Sequence, residues 1–211
     1  MNIQFPLLLL AGGKGQRANQ TKGLISFGSK TWIEVQAQHF FALGGTHLYI
    51  GLGYQVEAYR PIILRLKSLA QTHEGHLIIV TNPKPEEGPF STLWHLCQAL
   101  SRSEPAWLAP IDLPLLSQPF WNHLEGIFYR ELPSAVVPTF RGKGGHPVLL
   151  GPSVLTAIVQ QVNLNGQRLD YFLQSFEPLR VEGDWPEILT NLNESAQWTH
   201  YRRAVMGGEE A

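Results

Sequence analysis

The sequence predicts an α/β fold: a doubly wound, mostly parallel sheet with helices on both faces. Three observations predict it. Short apolar runs near 4–10, 47–52, 77–80 and 105–109 alternate with longer stretches of helical period, the βαβ order of a parallel sheet. These runs lack polar alternation, as strands covered on both faces do. The first, Leu7–Leu10, passes directly into Ala11-Gly12-Gly13-Lys14-Gly15, a glycine-rich turn at the position where open α/β sheets bind ligands. A mixed edge to the sheet is expected. With 211 residues, one domain over 1–211 is the expectation.

Each element has a local reason. Four leucines are too few to span a membrane and suit a buried strand. Leu24–Lys30 reads as a short extended piece and turn. Thr31, with Glu34 three residues on, reads as an N-cap opening a helix to about Leu43, and Gly44-Gly45 ends it. His47–Leu52 is the second strand, followed by Gly53, Tyr54 and Gln55. Pro61 opens a helix through Ala70, and Leu77–Val80 is the third strand. The breaker-dense loop Thr81–Pro89 feeds a helix capped by Ser91-Thr92 and reaching about Leu100. Ala106–Ala109 is the fourth strand, with Asp112-Leu113-Pro114 beyond its carboxyl end. Ser117 or Gln118 with Pro119 starts a helix to about Arg130. A strand over Ser134–Pro138 leads to Arg141–Leu150, whose paired glycines suggest a hairpin or mobile lid. Val154–Val162 is helical, Gly166-Gln167-Arg168 opens a further helix, Leu179–Val181 is an edge strand, and Thr190–Ala196 precedes a terminal helix.

Composition narrows the classes of function. A formal net charge of −1 provides no global basic field, so neither nucleic acid nor an anionic membrane is an implied partner. One cysteine, Cys97, in an apolar helical run, excludes an intramolecular disulfide framework and reads as a buried structural thiol. Met1–Pro6 carries no basic residue and is not laid out as a signal peptide; a cytoplasmic location is expected. Eight histidines form no His-Glu-x-x-His, no Cys-x-x-Cys accompanies them, and no Gly-x-Ser-x-Gly elbow occurs, which argues against zinc and serine-hydrolase chemistry. The six tryptophans are scattered among elements, as core filling rather than a base-stacking platform.

The glycine loop carries the chemistry. The P-loop template fails because Gly13-Lys14 is followed by Gly15 rather than Ser or Thr, and the dinucleotide fingerprint fits only loosely as Gly13, Gly15 and Ala18. Lys14, Arg17 and Lys22 add full positive charges beside the glycines. Such charge suits a site that breaks a phosphate bond, where the transition state and the leaving pyrophosphate must be neutralised. The competing reading is an ordinary turn with solvated cations. Asp112, at the carboxyl end of a buried strand, is a hard oxygen ligand suited to Mg²⁺. Arg141 and Lys143 are candidates to hold an acceptor phosphate, against the alternative of solvated loop cations. His146 lies in the same turn, where a structural role is favoured over a base.

Leu10-Ala11-Gly12-Gly13-x-Gly15-x-Arg17, with Lys22 five residues later, resembles the signature loop of the MobA-like nucleotidyltransferases, which include the molybdenum-cofactor guanylyl- and cytidylyltransferases. Asp112-x-Pro114 matches that family's metal motif. Asn82 with Gly88-Pro89-x-Ser91 resembles its base- and ribose-facing loop, and Asn191-Leu192-Asn193 its carboxy-terminal Asx-x-Asx element, with Glu194-Ser195 in place of Thr-Pro. The resemblance implies a Rossmann-like nucleotidyltransferase fold and Mg²⁺-dependent transfer of a nucleotidyl group from GTP or CTP to a phosphorylated small-molecule acceptor, releasing pyrophosphate. It further implies nucleotide binding by Leu10, Ala11, Gly12, Gly13, Gly15, Lys22, Asn82, Gly88, Pro89 and Ser91. Catalysis falls to Arg17, Lys22 and Asp112, acceptor binding to Arg141, Lys143 and His146, and metal binding to Asp112 and Asn193. Ala11-Gly12-Gly13 leans to the guanylyl type, whereas Gly166-x-Arg168 resembles a cytidylyl-branch element. Molybdopterin is the first acceptor to consider and a sugar phosphate or other metabolite the next; a non-catalytic nucleotide-binding regulator is the alternative. No nucleic acid or membrane partner is expected, and the assembly is expected to be a monomer or small homo-oligomer.

Overall fold

The computed structural model describes residues 2–14, 21–100 and 104–206. Its main sheet runs in the order β10-β7-β9-β6-β1-β4-β5, with β8 paired to β7. The left-hand members are β10 (Leu179–Glu182), β7 (Ala135–Phe140) and β9 (Val148–Leu150); then come β6 (Ala106–Pro110), β1 (Leu7–Leu10), β4 (His47–Leu52) and β5 (His76–Thr81), with β8 at Lys143–Gly144. A small hairpin, β2 (Ser26–Phe27) with β3 (Lys30–Thr31), lies apart. β1 pairs in parallel with β4 and β6, β4 with β5, and β7 with β10.

β9 runs antiparallel between β6 and β7. The reversal therefore falls inside the sheet and not at its edge, where the alternation pattern had placed it. A run of only three apolar residues fits the arm of a surface hairpin as well as a central strand; full burial of Val148, Leu149 and Leu150 decides for the latter.

Alternating strand side chains feed two cores. Leu7 and Leu9 of β1 face one with α1 (Trp32–Ala42), α2 (Val56–Thr72) and α4 (Gln118–Glu131); Leu8 faces the other with α3 (Pro89–Ala99), α5 (Pro152–Val159) and α6 (Leu169–Gln174). The sheet is thus doubly wound and mostly parallel, with helices on both faces. Trp32, Trp107, Trp121 and Trp198 are all buried in the first core. Among the described residues no helix is long and apolar enough to cross a membrane.

Several boundaries differ from expectation for local reasons. α2 starts at Val56, five residues before Pro61, because the buried Tyr59 anchors its first turn and a proline there forfeits a single backbone bond. α3 starts at Pro89 after Gly88 at φ 99°, so Ser91 sits within its first turn, with its hydroxyl donating to the Gly88 carbonyl at 2.7 Å. The Thr31–Glu34 expectation holds: the Glu34 carboxylate accepts from the Thr31 N–H and hydroxyl at 2.8 and 2.7 Å.

Candidate active site

β1 is flanked by β4 on one side and β6 on the other, so the strand order reverses there and a crevice opens beyond the carboxyl ends of β1 and β6. Two adjoining cavities, of about 870 and about 550 Å³, occupy it and share Leu10, Pro89, Pro110, Asp112 and Asn193 as lining.

The smaller cavity belongs to the glycine loop. Ala11 N–H donates to the Gly51 carbonyl at 2.8 Å and Tyr54 N–H to the Gly12 carbonyl at 3.2 Å, holding the loop against the end of β4. The two segments approach so closely that a Cβ on Gly53 would lie 2.8 Å from the Gly12 carbonyl oxygen, while one on Gly13 would meet nothing within 4 Å. Gly13 thus offers its backbone to the cavity without obstruction. Lys14 places its ammonium 4.9 Å from the centre of the Tyr54 ring, and both line this cavity with Ala11, Gly12, Lys22 and Gly88. Gly15 and Arg17 lie outside the described residues.

Lys22, Asp112 and Asn193 come from distant parts of the chain and meet where the cavities join. The Lys22 ammonium lies 2.6 Å from Asp112 Oδ2 and 2.6 Å from Asn193 Oδ1. Both members of the ion pair are largely buried, with side chains 19% and 15% exposed. Each is held from behind. Gly23, next to Lys22, packs on the Tyr59 hydroxyl, and burial pushes that phenol far above its ordinary range, so it stays protonated. Ile111 N–H donates to the Leu10 carbonyl at 3.0 Å, and Leu192 N–H to the Asp112 carbonyl at 2.9 Å. The Gln197 side chain accepts from the N–H groups of Asn193 and Glu194 at 2.8 and 2.9 Å. Three side chains of α1 bind the carbonyls around Asp112: Trp32 to Ile111, Gln36 to Leu113, and His39 to Leu116, at 2.6, 2.6 and 2.7 Å.

Asn82 and Ser91 line neither cavity. Asn82 is buried, and its amide donates to Ser91 Oγ and Thr92 Oγ1 while its oxygen accepts from Lys84 N–H. All its polar atoms are engaged in fastening the loop to α3.

The larger cavity runs beneath β9, α6 and β10. Arg141 and Lys143 do not reach it: both are exposed in the β7–β8 turn, where Arg141 stacks over Phe140 at 5.0 Å and the Glu182 carboxylate accepts from the Arg141 and Gly142 N–H groups. The cations lining it are instead Arg168, paired with Asp170 at 2.7 Å, and Arg180. His146 also lines it. Burial holds its imidazole below the ordinary range against the opposing pull of Asp112, and its Nδ1 is buried without a hydrogen-bond partner. Arg180 escaped sequence reasoning because nothing in Leu179-Arg180-Val181 distinguishes an edge strand bordering a cavity from one facing solvent.

A glycine loop at the switch point of a doubly wound sheet, facing a lysine and a carboxylate, marks an α/β protein with a ligand crevice at its strand ends. A family model described as the MobA-like NTP transferase domain matches residues 7–178, and the chain belongs to that family. No curated protein matches in sequence. Among solved structures, Rv0371c from Mycobacterium tuberculosis is similar with 16% identity, TM-score 0.69 and coverage of 96% of this chain and 99% of that one; the same protein has been solved in complex with manganese. Molybdopterin-guanine dinucleotide biosynthesis protein A from Archaeoglobus fulgidus shows 13% identity, TM-score 0.69 and coverage of 96% and 100%. A putative glucose-1-phosphate thymidylyltransferase from Bacillus anthracis shows 13% identity, TM-score 0.72 and coverage of 99% and 97%. At these identities the likeness is one of fold.

Proposed function

We propose that the chain, acting as one transferase unit, moves a nucleotidyl group from a nucleoside triphosphate to a phosphorylated small molecule and releases pyrophosphate. The observation that carries this reading is the meeting of Lys22, Asp112 and Asn193 within 2.6 Å contacts at the junction of two cavities. One cavity is edged by the glycine loop and suits the nucleotide; the other is edged by Arg168, Arg180 and His146 and suits the acceptor. The acceptor phosphate oxygen would form its bond to the α-phosphorus as the bond from that phosphorus to the bridging oxygen breaks and pyrophosphate departs. Backbone N–H groups at Gly12 and Gly13 bind phosphate oxygens, and Lys22 meets the charge that develops on the departing group.

Asp112 and Asn193 supply two hard oxygen donors and no sulfur or nitrogen, a set that fits Mg²⁺ with phosphate oxygens and water as its remaining ligands. Bound there, the ion would neutralise charge on the phosphates. The manganese complex of Rv0371c is consistent with a divalent ion in this fold. The resemblance of the glycine loop sets the order of acceptors to test, molybdopterin first and then sugar phosphates; neighbours whose names mention molybdopterin-guanine dinucleotide and glucose 1-phosphate share the fold.

A thermal-shift panel of GTP, CTP, ATP and UTP, each with and without Mg²⁺, tests this reading. A ligand at ~100 times its Kd adds ~2.7 kcal/mol of stability, a shift of several degrees. One nucleotide should stabilise the wild type with Mg²⁺ and fail to stabilise Asp112→Ala; stabilisation by none would overturn the reading.

A further inference from the structure

We propose that the Lys22 ammonium is a resident cation on the Asp112–Asn193 oxygens, so that a divalent metal reaches them only once nucleotide phosphates have drawn Lys22 away. The inference rests on the preceding reading for the identity of the two metal ligands. Its basis is that Lys22 Nζ already stands 2.6 Å from both oxygens that a metal would need. A magnesium ion held ~2.1 Å from Asp112 Oδ2 would lie no more than ~4.7 Å from that ammonium, in a place where both side chains are screened from water and like charges repel strongly.

The oxygens are poorly placed to move apart and accommodate both cations. The Asp112 carbonyl is bound by Leu192 N–H, and the backbone at Asn193 is held by Gln197. Lys22 is the mobile member, a single charge on a four-carbon stem. It lines the glycine-loop cavity, so phosphates bound there present it with replacement oxygens. Among the described residues no group of three or more His, Cys, Asp or Glu side chains could hold a metal; the ion must therefore complete its shell from phosphates and water. Both considerations make metal and nucleotide arrive together, with Lys22 exchanging a carboxylate for a phosphate as they do.

The test is Mn²⁺ affinity without nucleotide, read from the free-ion electron paramagnetic resonance signal, for wild type, Lys22→Met, Lys14→Met and the double variant Lys22→Met/Asp112→Asn. Lys22→Met should bind Mn²⁺ at least tenfold more tightly than wild type, and the gain should vanish in the double variant. Lys14→Met removes the same charge from the same cavity without touching Asp112 and should gain less than about threefold by screening arguments. Equal or weaker binding by Lys22→Met, or an equal gain from Lys14→Met, overturns the proposal. Lys22→Gln repeats the measurement with an uncharged side chain of similar polarity should the Met variant fail to fold. A null nucleotide panel would remove the transferase reading while leaving this metal comparison intact, so the two can fail separately.

Discussion

Lys22 carries its ammonium on a four-carbon stem that lines the glycine-loop cavity and ends on the Asp112 carboxylate, and its replacement tests the proposed transfer. Lys22→Ala should reduce nucleotidyl transfer by about 10²-fold or more, the usual cost of losing one group that meets transition-state charge. Its melting temperature should fall as well, because removing one partner of a largely buried ion pair leaves the Asp112 carboxylate without its counter-charge; pyrophosphate release and a melting curve read the two effects. On the acceptor side, Arg180→Ala should raise the acceptor KM several-fold while Arg141→Ala leaves it unchanged, since Arg180 borders the larger cavity and Arg141 stacks on Phe140 outside it. The candidate residues that were legible in the sequence are those whose placement is local. A glycine turn directly after the first strand, and a carboxylate just past the fourth, announce themselves. Asn82 was named from the resemblance, but the direction of its amide was not legible, because it depends on Ser91 and Thr92 in the first turn of the next helix.

Elements convert these residues into a site, and α1 does so twice. Its Trp32, Gln36 and His39 bind successive carbonyls of the segment that carries Asp112, while Glu34 ties its first turn to α2. Burial alone would raise the Glu34 carboxyl, but hydrogen bonds from Arg65 and Thr31 outweigh it and hold the group below its ordinary value of 4.5. A carboxyl lowered on folding stabilises the protein while ionised, and that benefit is lost as pH falls through the folded-state value. Glu34→Gln should therefore be less stable than wild type at pH 7, by about 1 kcal/mol given the half-exposed Arg65, and the gap should close in denaturant titrations carried below pH 4.5. Gly53 is the point where the glycine loop and the end of β4 touch. Gly53→Ala would set a methyl group 2.8 Å from the Gly12 carbonyl oxygen, an overpacking that typically costs ~1–3 kcal/mol; lower thermal stability with weakened nucleotide binding is the expected outcome. The capping box of α1 was readable from Thr31 and Glu34, whereas the Arg65 partner, thirty-one residues on, was not.

Over the whole molecule, apolar runs alternating with helical stretches revealed the parallel half of the sheet, since each of β1, β4, β5 and β6 carries a continuous apolar run. β5, expected to be covered on both faces, is instead the half-buried edge strand, because an apolar run does not record whether a further strand pairs beyond it. The insertion of β9 between β6 and β7 escaped notice because its position depends on pairing Val148 with Leu108 and Leu149 with Val136, both earlier in the chain, which no local pattern records. Cys97 lies inside the second core, and burial pushes its thiol up to about 12. It should stay silent to a thiol reagent such as DTNB in the native protein and react as one equivalent in denaturant. The terminal segment has the widest reach. Leu192 binds the Asp112 backbone, Asn193 meets Lys22, and Trp198 of α7 (Ser195–Met206) lies edge-on against Trp32, all beyond residue 178 where the family match ends. A chain cut after residue 178 would keep the glycine loop, Lys22 and Asp112 but lose Asn193 and the Trp198 ring that packs on Trp32. The candidate site and the packing over Trp32 thus both depend on residues that the family match does not reach.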